Sequence, residues 1–128
     1  MKIVLTVVQY AIRLNGVFLI VLGFLFWAKQ ALSLTPLHMR LGLAEVALLW
    51  GMALLALRWR VSAGLVIVAL LWGLLTAGFG MKMGSLLPGR AHEVIRVLHF
   101  LIGLGAIGLA ESLAARIKRG ERWAAAAS

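Results

Sequence analysis

The chain has 128 residues, 63% hydrophobic and 13% charged, with a mean hydropathy of +1.03. Soluble domains run at roughly half apolar and a quarter charged, so this composition excludes one and predicts an all-α integral membrane protein. The net charge is +9 with no cysteine, which removes disulfides, thiolate metal sites, iron–sulfur clusters and cysteine nucleophiles.

The basic residues flank apolar runs, as lipid headgroups and membrane topology require, and form no patch interleaved with aromatics. Nucleic acid is therefore excluded as a partner. The apolar run after Lys2 is far longer than a signal core and lacks a small-residue cleavage pattern. It is expected to stay as a spanning helix.

The first span is predicted over residues 4–27, about the length that crosses a ~30 Å hydrocarbon core. Gln9, Tyr10, Arg13 and Asn15 fall inside it. An arginine there is expected to face the bundle interior and to have a partner. Gly16 and Gly23, on one helix face, are expected to allow close helix approach.

A short polar loop leads to Thr35-Pro36, which reads as an N-cap followed by a first-turn proline. The second span is predicted over 36–57, with His38, Gly42 and Glu45 on one face. A basic turn, Arg58-Trp59-Arg60, follows it. The third span is predicted over 61–80. The second and third spans share Val-Ala-Leu-Leu-Trp-Gly, at Val46 to Gly51 and Val68 to Gly73, read as packing material. The last helix is predicted over 90–118, with His92, Arg96, His99, Gly103, Ala106 and Ala110 along one face. Residues 1–123 thus form one domain, an up-down four-helix bundle, and 124–128 a low-complexity tail.

One side of the bundle carries Lys2, Arg58, Arg60, Arg116, Lys118, Arg119 and Arg122. The other carries the smaller set Lys29, Arg40, Lys82, Arg90 and Arg96. The excess predicts cytoplasmic termini in a bacterial inner membrane, crossed several times. All three histidines then lie towards the outer face.

Leu37-His38 and Leu98-His99 each place a glycine, Gly42 or Gly103, four residues on, hence on the same helix face. The plain reading is a pair of interfacial histidines with packing glycines. The sharper one is that His38 and His99, on parallel second and fourth helices, face each other as the two iron ligands of one b-type haem. Gly42, Gly103 and Ala106 would clear space for the ring plane, and Arg40, Arg90 and Arg96 would meet its carboxylates. His92 would serve a second haem, a carboxylate or a quinone, or be an interfacial histidine. Arg13 and Glu111 come out at one depth and are expected to form a structural ion pair, with Glu45 able to join it.

These helices resemble those of the four-helix membrane cytochromes b, where Leu-His and nearby glycines recur around haem. That resemblance covers helices two and four only. Those proteins pair histidines on both sides of the membrane, and here all lie on one side, which argues against a transmembrane electron wire. More broadly, Leu37-His38-Met39 with Gly42, Leu86-Leu87-Pro88-Gly89, and Leu98-His99 with Ala106 to Glu111 resemble a family of small bacterial four-helix membrane proteins. That family brings no activity with it.

The expected function is haem b binding, in electron transfer, haem handling or sensing. An enzyme, if any, would be a haem-dependent oxidoreductase. The alternatives are a small proton-coupled exporter built on Glu45, and an accessory subunit of a membrane complex. A zinc site built from His38 with Glu45, or His92 with His99, lacks a third ligand. Candidate partners are the bilayer, a quinone or redox protein, and further copies of the chain. No serine elbow, phosphate loop or paired carboxylates point to hydrolysis.

Overall fold

The computed structural model describes residues 2–126. Helices α1 (Lys2–Trp27), α2 (Thr35–Arg58), α3 (Ala63–Lys82) and α4 (His92–Ala126) follow one another through short connections. Each is long and apolar enough to cross a membrane, as in a multi-pass membrane protein. The outside of the bundle agrees with that, since large side chains such as Ile3, Leu14, Leu71 and Leu74 stand more than 60% exposed. Water would penalise such a surface, while lipid tails would not.

The bundle is not square. The helices α2 and α4 pack on each other across the core, while α1 and α3 each pack on both of them and do not meet among the described residues. Small side chains permit the close diagonal: Ala53 and Ala56 of α2 and Ala106, Ala110 and Ala114 of α4 share one cluster at 0–1% exposure. Apolar burial drives no helix association inside a bilayer, so close backbone approach and dispersion must supply it. The repeated Trp-Gly pairs add to this. Trp50 Nε1 donates to the Leu70 carbonyl across α3 (3.1 Å) and lies over Gly73, while Trp72 Nε1 donates to the Ile102 carbonyl of α4 (2.9 Å) and lies over Gly105. Gly16 lies against Ile107, whereas no atom approaches the place a Cβ would take at Gly23.

Most helix ends differ from the sequence expectation, with α1 starting at Lys2, α2 ending at Arg58 and α3 ending at Lys82. Thr35 is already helical and Leu34 takes the cap position, because the Thr35 hydroxyl donates to the Leu32 carbonyl at 2.7 Å and binds a short 3-10 turn. The third helix starts two residues late, at Ala63, where the Ser62 carbonyl accepts from Leu65 and Val66. The fourth starts at His92 after a 3-10 turn over Gly89–Ala91 and continues to Ala126. The alanines at 124–126 extend the helix, as the strongest helix former should. Ala127 and Ser128 lie outside the described residues.

Candidate functional site

The second turn of α2 and the opening turns of α4 bring His38 and His99 together at one end of the bundle. Their ring centroids are 6.2 Å apart, with planes inclined at 57°. Each ring rests on a phenylalanine from a different helix. Phe26, in the last turn of α1, meets His38 edge-on at 5.3 Å, and Phe79, in the last turn of α3, stacks on His99 at 6.2 Å and 9°. All four helices thus contribute one ring to the same layer. Phe26 and Phe79 were missed in the sequence; their only signal is an aromatic one turn from the histidine end of each odd-numbered helix.

The Nδ1 atoms of both histidines are buried and have no hydrogen-bond partner. Buried polar atoms in folded proteins are nearly always satisfied, so an orphaned pair calls for an explanation. Gly80 backs His99 so closely that a Cβ there would lie 3.2 Å from the ring carbon Cε1. Around Gly42 and Gly103, no atom comes within 4 Å of the position a Cβ would take. Ala106, expected to leave clearance, does not: it is 1% exposed inside the α2–α4 contact, two turns below His99.

The arginines divide. Arg40 and Arg90 are exposed near this end. Arg96 is paired with Glu93 at 2.8 Å, and the second oxygen of Glu93 accepts from Trp27 Nε1 at 3.1 Å. This triad ties the end of α1 to the start of α4. His92 lies in the opening turn of α4 with Nδ1 3.0 Å from the Leu86 carbonyl oxygen. A carbonyl only accepts, so that nitrogen donates and holds the loop before α4 in place.

A second polar group lies on the α1–α4 seam, partway along the helices. Arg13 donates to Glu111 through Nε (2.7 Å) and Nη2 (2.9 Å), Gln9 Nε2 donates to the same carboxylate at 2.6 Å, and Lys118 donates to the Gln9 carbonyl oxygen at 2.5 Å. Contrary to expectation, Arg13 does not face the interior, for its side chain is 52% exposed. Glu45 does not join this pair either. It is 5% exposed and accepts at 2.8 Å from Asn15, which also donates to the Leu41 carbonyl. Helical geometry separates the two groups: Asn15 is two residues, about 200° of rotation, from Arg13, so one faces α2 and the other the α4 seam.

Among the described residues no three His, Cys, Asp or Glu side chains converge as a metal site. The His38–His99 pair can therefore supply two nitrogen donors in an aromatic layer, with no third His, Cys, Asp or Glu beside them among the described residues. No protein-family model matches the chain, and no curated protein or solved structure matches it either.

Proposed function

We propose that the chain is a haem b-binding membrane protein, with His38 and His99 as the axial ligands of one haem near the outer face of a bacterial inner membrane. The observation that carries this reading is the pair of imidazoles on α2 and α4, 6.2 Å apart, whose Nδ1 atoms are both buried and without a hydrogen-bond partner. Two imidazoles sharing one metal at about 2 Å each stand with centroids roughly 6 Å apart, so the ring spacing suits a single bridged metal. A bare zinc ion would need four ligands. Haem brings four of its six donors in the macrocycle, so two protein ligands complete it. Ligand type, ligand number and sleeve therefore fit haem better than a lone ion.

Each residue then has a task. Gly80 allows His99 its seat. Phe26 and Phe79 hold the two rings and exclude water from the iron, which tunes its potential. Gly42 and Gly103 keep helix surface bare beside each ligand. Arg40 and Arg90, exposed at the same end, would meet carboxylates leaving the sleeve, while one nitrogen of Arg96 is already engaged by Glu93. Haem itself would supply one-electron chemistry, for electron transfer to a quinone or redox protein, for haem handling or for sensing.

The test is an optical spectrum of the detergent-purified protein, with haemin added if it emerges colourless. Dithionite reduction is expected to give the sharp α-band of six-coordinate ferrous b haem at one haem per chain. A protein that takes up no haemin would sink the reading.

A further inference from the structure

The seam between α1 and α4 carries an opposite pair of charges on the outside of the bundle, deep within its apolar length. Arg13 is eleven residues from Lys2 and fourteen from Trp27, roughly 16 and 21 Å along the axis, so it stands near the centre of a ~30 Å apolar slab. Its side chain is 52% exposed and that of Glu111 32%. Nε and Nη2 hold Glu111, and Nη1 makes no hydrogen bond among the described residues. Ionisable groups within spanning helices face a bundle interior or a water-filled cavity, and are costly against lipid. Something other than lipid must therefore cover this face.

The neighbouring surface narrows the choice. Tyr10 and Val17, flanking Arg13 on α1, are 65% and 58% exposed, and Leu104 of α4 is 39% exposed. Beside Glu111, Gly108 and Ala115 are exposed and nearly flat. Headgroup phosphate is too far from Arg13 to serve. The patch carries both signs, since each chain presents Arg13 beside Glu111, with Lys118 joined to them through Gln9. In a twofold interface residue i of one copy meets residue j of the other and j meets i, so the cation of each copy can meet the anion of the other.

We infer that the α1–α4 seam is the interface with a second copy of this chain, in which Arg13 and Glu111 of the two copies form one four-membered charge cluster sealed from lipid. This rests on the seam alone and is independent of the histidine pair.

The chain has no cysteine, so single cysteines report proximity directly. Val17→Cys and, on α3, Leu71→Cys would be reconstituted separately in neutral phosphatidylcholine vesicles at high lipid excess and oxidised. Val17→Cys is expected to give a disulfide dimer at several times the yield of Leu71→Cys. Equal yields, or monomer from both, would overturn the inference and leave a foreign helix as the cover.

Charge reversal adds a second arm. In the Val17→Cys background, Arg13→Glu alone and Glu111→Arg alone are expected to lose the dimer. The two mixed, with different tags, regain it as a heterodimer, because the carboxylate introduced on α1 of one copy then meets the guanidinium introduced on α4 of the other. Cross-linking in the parent without recovery in the mixture would refute the charge cluster. If either variant fails to fold, the Val17–Leu71 contrast decides alone.

Discussion

His38→Ala and His99→Ala are each expected to abolish stable haem binding, with an affinity loss of tenfold or more, equal to about 1.4 kcal/mol or more. The two rings come from different helices and neither Nδ1 has another hydrogen-bond partner, so removing one ring leaves a single imidazole at the site. The apolar sleeve persists, because Phe26 and Phe79 are anchored in the last turns of α1 and α3. Helical circular dichroism and elution volume should therefore stay as in the parent. A haemin titration followed in the Soret region measures the loss. Exogenous imidazole should restore part of the six-coordinate spectrum in either variant, an outcome that mere loss of packing would not give.

Gly105→Ala is expected to destabilise the bundle by about 1–3 kcal/mol. The added methyl would overlap the indole of Trp72, whose Nε1 is held by the Ile102 carbonyl at 2.9 Å. To yield, the ring must give up an interhelical hydrogen bond, worth about 0.6 kcal/mol on average within membranes. Gly73→Ala meets Trp50 in the same way, with a smaller expected loss, since Trp50 is 37% exposed and has room to turn. Gly23→Ala is the control, for nothing lies within 4 Å of its Cβ position. There the better helix propensity of alanine should leave stability unchanged or raised. Unfolding of the three variants in mixed dodecylsulfate–maltoside micelles, read by tryptophan fluorescence, orders them. An equal midpoint for Gly105→Ala and Gly23→Ala would contradict this packing.

The four helices were legible from hydropathy because each apolar run has the length of a span and ends in charge or proline. Their ends were less so: a threonine that donates to the preceding turn looks like a cap in sequence, and an alanine run looks like a tail. Rotation about each helix axis was the weakest part. Equal depth brings Arg13 and Glu111 together, but only packing shows that α1 turns Arg13 outwards and Asn15 towards Glu45. The Trp-Gly repeat was legible as packing material, whereas its partners were not, since Trp50 of the first repeat rests on Gly73 of the second. Ala106 looked like clearance because small residues read alike whether they face a ligand or another helix. The phenylalanine beneath each histidine depends on where four helices end relative to one another, which no local spacing encodes.

The central claim is that one iron is held between His38 and His99. Low-temperature electron paramagnetic resonance of the ferric protein, loaded with one equivalent of haemin, tests it most directly. Ligation by both imidazoles predicts a low-spin signal of the bis-imidazole type, lost in His38→Ala and in His99→Ala. A high-spin signal in the parent, or a low-spin signal that survives either substitution, would contradict it.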